Sequence, residues 1–209
     1  KLSKPNLNIK KENKIYDTIL KAVNVSLEKN YHFLEYDINK IHKKFHFESD
    51  KLLPKKGYVG LSITQGNVYR KKEWPLSNVI KISNKLLQCN KTPVFFIDKK
   101  NVRLKNKIHE LIPNAMFPEH NSELASPALV TCLGKRLEFA ISIDNGVMHM
   151  LSLSKVPMIT LFGPTDSEKF APEYKLSIVL DSKKLYNTKS VSAITVEDVL
   201  QAAKQHLSF

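Results

Sequence analysis

The sequence predicts an α/β protein built on a doubly wound parallel sheet, and three features predict it. Short apolar, β-branched runs alternate with amphipathic stretches from Gly57 onward. Two of those runs end in polar loops, Asp144-Asn145-Gly146 and Phe162-Gly163-Pro164-Thr165-Asp166. In an open parallel sheet such loops share the carboxyl edge, where ligands bind. The chain closes with Thr195-Val-Glu-Asp, a capping-box-like helix start.

In order, the alternation predicts a strand over 58–64, a helix over 76–89, a strand over 93–97 and a helix over 104–111. A short strand over 115–117, a helix over 122–135, a strand over 138–143 and a helix over 146–154 follow. Strands over 158–162 and 176–180 and a helix over 195–207 complete it. Ahead of this, residues 9–30 have helical spacing (Ile15, Ile19, Leu20, Val23), and a charged, irregular stretch runs through Asp50. No repeat or low-complexity tract interrupts the pattern.

The most informative segment is Ile141 to His149. A buried strand meets Asp144, a good helix N-cap, then Gly146, which lets a ligand approach backbone closely. Amides at a helix start attract phosphate, and His149 is near enough to add a hydrogen bond. An isolated Asp-x-Gly-x-x-His would more often be a plain cap and a plain histidine; the second loop at the same sheet edge shifts the balance.

With 209 residues, 42% of them hydrophobic, the chain can bury one sizeable core. The formal charge of +13 suits nucleic acid, an anionic membrane face or phosphorylated substrates, and abundant lysine and asparagine also fit an AT-rich coding bias. Arg70, Arg103 and Arg136 are the only arginines, and no nucleic-acid-binding motif or aromatic platform is recognisable, which argues against nucleic acid. Cys89 and Cys132 stand far apart, so neither a zinc site nor a disulfide framework is expected; a reducing cytoplasm is the expected home. No apolar run reaches the roughly 20 residues that span a bilayer, so any membrane contact is expected to be peripheral.

Asp144-Asn145-Gly146-Val147-Met148-His149, followed by Pro157-Met-Ile-Thr-Leu-Phe-Gly-Pro-Thr165, resembles the donor site of glycosyltransferase family nine, the lipopolysaccharide heptosyltransferases. That family carries Asp-Thr-Gly-x-x-His and Pro-…-Leu-Phe-Gly-Pro-Thr at these places. Lys72-Glu73-Trp74-Pro75 matches its Lys-x-Trp-Pro segment. The resemblance covers about residues 57–207 well and the first 55 loosely; it implies that residues 1–55 are a connector from an N-terminal acceptor domain and 56–209 the Rossmann-like donor-binding domain.

The resemblance implies the C-terminal, Rossmann-like half of a B-type glycosyltransferase. It implies transfer with inversion, without an essential metal or cofactor, of a sugar to a lipopolysaccharide-core-type acceptor, with ADP-heptose the expected donor. The acceptor would be a lipid-linked or phosphorylated saccharide at the inner membrane face. The general base would be an aspartate of an N-terminal half, expected upstream of Lys1, so no catalytic base is assigned here. By the same resemblance Lys72 neutralises the leaving diphosphate, Asp144 orients the sugar or caps the helix, and Asn145, Gly146 and His149 hold the diphosphate. Gly66, Asn67, Gly163 and Thr165 belong to the same loop edge, and Ser126, with Ala125, marks the base pocket. Asn145 departs from the family threonine, and Ile97-Asp98-Lys99-Lys100 stands where the family often has glycine and a ribose-binding glutamate. A non-catalytic nucleotide-sugar binding or interaction module is the alternative.

Overall fold

The computed structural model describes residues 37–65, 69 and 71–204. Five parallel strands form one sheet: β1 (Tyr58–Ser62), β2 (Thr92–Phe95), β3 (Leu137–Ile143), β4 (Met158–Phe162) and β5 (Ser177–Asp181), in the spatial order β2-β1-β3-β4-β5. The predicted strand over 115–117 is reduced to a single parallel bridge, Val94 to Met116, closed by Phe95 N–H donating to Met116 O (2.8 Å) and Met116 N–H to Pro93 O (2.9 Å). Counting that remnant, the sheet has the doubly wound Rossmann order, which reverses between β1 and β3.

Eight α-helices are described: α1 (Lys43–Leu52), α2 (Leu76–Gln88), α3 (Val102–Leu111), α4 (Pro127–Gly134), α5 (Gly146–Ser152), α6 (Ser167–Phe170), α7 (Ser182–Tyr186) and α8 (Val196–Ala203). The strands alternate as their period dictates. Val59, Leu61, Phe95, Phe139, Ile141, Ile143, Ile159 and Leu161 face a core closed by Val79, Ile82 and Leu86 of α2, Ile108 of α3 and Val199 of α8. Tyr58, Val94, Ala140, Met158 and Phe162 face the other way, onto Leu129 and Leu133 of α4 and Met148 and Leu151 of α5. Both faces are covered, so the central strands read as continuous apolar runs. Gly60 keeps β1 close to its neighbours: a Cβ there would lie 2.6 Å from Leu137 Cδ1, so the end of that leucine side chain would have to shift.

Several predicted elements differ. The stretch expected to be irregular through Asp50 contains α1, capped by His42 Nδ1, which accepts from Lys44 N–H at 3.2 Å. The helix expected over 122–135 starts only at Pro127, with Ser126 as its cap; a 3-10 turn, Pro118–Asn121, precedes it. Proline suits the first turn of a helix but breaks its interior. The closing helix is described to Ala203, and residues 205–207 of the expectation lie outside the described residues, as does the helix expected over 9–30.

Trp74 anchors the chain leaving β1. It is buried, and its Nε1 donates to Ile194 O at 2.8 Å, tying the segment before α2 to the one before α8. Trp74→Phe keeps most of the packing and leaves that carbonyl without its donor; the expected loss is about 1–3 kcal/mol, read from urea denaturation.

Candidate functional site

The sheet order reverses between β1 and β3, so the helices that follow them leave on opposite faces and a crevice opens at their carboxyl ends. A cavity of about 590 Å³ occupies it and extends over the end of β2. Asn145 and Gly146, after β3, line one end and Asp98, after β2, the other; Thr64, Gln65, Phe96, Glu119 and Ser126 also line it.

Asn145 builds the first end. Its Oδ1 accepts from Met148 N–H (2.9 Å), making it the N-cap of α5. Its Nδ2 donates to Ser62 Oγ and Thr64 O, both at 2.8 Å. One amide therefore caps the helix and ties the end of β1 to the start of α5. The expectation that Asp144 caps this helix is corrected: Asp144 turns away, to Lys72. Gly146 follows with open space where a Cβ would point, the nearest atom being Met150 Cε at 3.9 Å.

Lys72 and Asp144 form a buried ion pair, with residue exposures of 8% and 7%. Lys72 Nζ also donates to Asp144 O at 3.2 Å, and the Lys72 backbone N–H to Gln65 Oε1 at 2.8 Å. Lys71 holds a left-handed φ of +48° to turn the chain there, a conformation that costs a non-glycine residue about 1–2 kcal/mol. In the structure the Lys72 charge is matched within the protein by Asp144. His149 shares this environment. Burial lowers its pKa below the ordinary imidazole value, Asp144 pulls it up and Lys72 pushes it down, so the ring is neutral at pH 7.

The other expected residues divide. Ser126 lines the cavity and caps α4, accepting from Leu129 N–H at 3.4 Å. Gly66 and Asn67 lie outside the described residues. Gly163 and Thr165 follow β4 and do not line the cavity. A Cβ on Gly163 would lie 2.5 Å from Val191 Cγ2 and 2.7 Å from Lys189 O, so glycine there lets two backbones pack. Thr165 O accepts from Lys183 Nζ at 2.6 Å, while its own hydroxyl is buried without a partner. Asp98 lines the cavity and turns the chain, Oδ1 accepting from Lys100 N–H at 2.8 Å. Glu119, which no motif or spacing singled out, shares that wall. Among the described residues no cluster of His, Cys, Asp and Glu could hold a metal ion, and no helix is long and apolar enough to cross a membrane.

Comparison with known proteins places this geometry. The model of glycosyltransferase family 9 (heptosyltransferase) matches residues 7–200. The chain belongs to glycosyltransferase family 9. Lipopolysaccharide heptosyltransferase 1 of Campylobacter coli is 24% identical over 168 residues, 75% of this chain and 49% of that protein. The chain thus spans about half the length of this curated family 9 relative.

Solved structures share the fold. The glycosyl transferase family 9 protein of Veillonella parvula superposes with a TM-score of 0.71 at 17% identity, covering 95% of this chain and 61% of that one. E. coli ADP-heptose lps heptosyltransferase II gives 0.66 at 15% identity, covering 86% and 55%. E. coli heptosyltransferase WaaC, solved with ADP-2-deoxy-2-fluoro heptose, gives 0.60 at 17%, covering 90% and 53%.

The family 9 residues Lys72 and Asp144 carry a stability prediction. Lys72→Met leaves a buried carboxylate unpaired and is expected to cost about 3–5 kcal/mol, whereas Lys72→Met with Asp144→Asn recovers most of it. Urea denaturation of both variants checks this; equal losses would show that the pairing contributes little.

Proposed function

We propose that this chain is the donor-binding half of a glycosyltransferase that moves a sugar, heptose from ADP-heptose, to a lipopolysaccharide-core-type saccharide with inversion. The observation that carries the proposal is the cavity at the β1/β3 crevice, long enough to run from Asn145-Gly146 to Asp98 and Ser126, in a chain of family 9. Heptosyltransferase relatives solved with ADP and with an ADP-heptose analogue support a nucleotide-sugar ligand.

The diphosphate sits at the Asn145-Gly146 end, where backbone is accessible and His149 is adjacent. The nucleoside lies along Phe96 toward Ser126. Because Lys72 and Asp144 cancel, His149 supplies the adjustable positive charge. An arriving diphosphate raises its pKa, so the ring takes up a proton and counters the charge growing on the leaving group. Gly163 and Thr165 contribute by keeping the post-β4 segment in place, and Gly66 and Asn67 are further donor-binding residues of the proposal. The general base and the acceptor pocket belong to the part of such a transferase outside these residues, and transfer requires that part. The acceptor is a lipid-linked or phosphorylated saccharide, reached from the cytoplasm at the inner membrane face, where net basic charge favours peripheral contact.

Calorimetric titration of the full chain with ADP, GDP and UDP tests the reading. Binding of ADP in preference to the other two is expected; binding of none would overturn it, and selective binding of UDP or GDP would overturn the choice of ADP-heptose. Proton uptake by His149 makes ADP bind more tightly as pH falls from 8 to 6. His149→Ala is expected to flatten that slope and to weaken binding at pH 6 by on the order of tenfold, the loss of one charge-assisted contact. An unchanged slope would remove His149 from the site.

A further inference from the structure

The two edges of the sheet differ. At one, β2 carries Pro93, which has no N–H to offer a further strand, and the Val94–Met116 bridge covers it. At the other, β5 has no strand neighbour beyond β4 among the described residues. Met158 N–H donates to Leu176 O at 3.0 Å, so alternation turns the Val179 backbone outward, away from β4. β5 reads Ser177-Ile-Val-Leu-Asp181, is as long as β1 and β4, and keeps an unbroken register with β4. It has no proline and no lysine. Its one charge, Asp181, is buried at the last position and accepts from Ser167 Oγ at 2.6 Å and Lys183 N–H at 2.9 Å. The cations that follow are engaged too: Lys183 Nζ donates to Thr165 O at 2.6 Å, and Lys184 pairs with Glu168 at 3.2 Å. Proline, free lysine and bulge, devices that usually blunt an edge, are missing from β5.

The same edge is apolar. Leu176 (39% exposed), Val179 (38%), Leu185 (49%) and Tyr186 (44%) run along β5 and into α7, whereas Phe47, Leu111 and Leu153, also exposed, are scattered over α1, α3 and the end of α5. Charge selects the partner. The chain carries +13, yet residues 164–188 hold four acids and four lysines and are neutral. An anionic surface gains nothing there, and two basic copies repel least when they meet through it.

We propose that β5 is the docking edge for a second copy of this chain, the two β5 strands pairing antiparallel about a two-fold axis into one continuous sheet. A two-fold contact requires a surface complementary to itself. A short apolar strand with Val179 at its middle meets that requirement, because Val179 then faces its own counterpart. The crevice between β1 and β3 is separated from this edge by β3 and β4, so the pairing leaves the cavity open. The inference is independent of the nucleotide-sugar reading above.

Sedimentation velocity of the full chain over a concentration series is the test. A monomer–dimer equilibrium is expected, and added salt should tighten it by screening the repulsion between two copies of charge +13. Val179→Lys places a free charge on the edge and is expected to weaken dimerisation by on the order of tenfold or more, whereas Phe47→Lys, on α1, leaves it unchanged. Urea denaturation checks that both variants fold. Val179→Cys, with the partly exposed Cys89 replaced by serine, should give a disulfide-linked dimer on mild oxidation, since opposed residues of paired strands lie within disulfide reach. A chain that stays monomeric at every concentration overturns the proposal, and slow hydrogen exchange of the Val179 amide in that monomer would identify another segment of the same chain as the cover. A dimer that dissolves in salt, or one that Val179→Lys leaves intact, also overturns it, and failure of Val179→Cys to cross-link overturns the two-fold pairing.

Discussion

The Asn145 side-chain amide is the constraint on which the site depends. It lies where the sheet order reverses, and it joins the end of β1 to the start of α5 through Ser62 Oγ, Thr64 O and Met148 N–H. A threonine at this position could cap the helix but has a single donor, so it could not also bridge to both β1 groups. The departure from the usual residue is thus a gain of one cross-link. It fixes the separation of the two loops that bound the cavity before any ligand arrives, which is the condition for preorganised electrostatics.

The buried pair of Lys72 and Asp144 is a second stitch between the same loops, and it depends on the first, because Asp144 precedes Asn145 in one turn. The pair is costly to desolvate and contributes position more than net stability. Its consequence is charge neutrality beside the proposed diphosphate site. A fixed, unpaired lysine would hold any phosphate at all pH values; a neutral pair beside a neutral imidazole leaves the positive charge to be induced by the ligand.

The central strands were legible because Val59, Leu61, Phe139, Ile141, Ile159 and Leu161 are buried in apolar runs too short for helices. The Asp144-Asn145-Gly146 turn was legible as a helix start at the carboxyl edge of the sheet, yet the cap is Asn145 where the sequence offered Asp144. That choice is made by Lys72, 72 residues earlier, whose ammonium claims the Asp144 carboxylate and leaves the cap to Asn145. Nothing local marks one lysine as buried in a chain with so many. Helix α1 was missed because its apolar residues are few among charges and Phe47 is exposed; its burial comes from packing against α4. Glu119 was missed because it sits in a proline-led turn with no periodicity, and only the fold brings it beside Asp98.

The most direct test is a crystal structure of the chain grown with ADP. The diphosphate is expected between Thr64-Gln65 and Asn145-Gly146, within hydrogen-bonding distance of His149, with the nucleoside along Phe96 toward Ser126. ADP bound elsewhere, or in the cavity with its diphosphate at the Asp98 end, would contradict the placement of the donor site at the β1/β3 crevice.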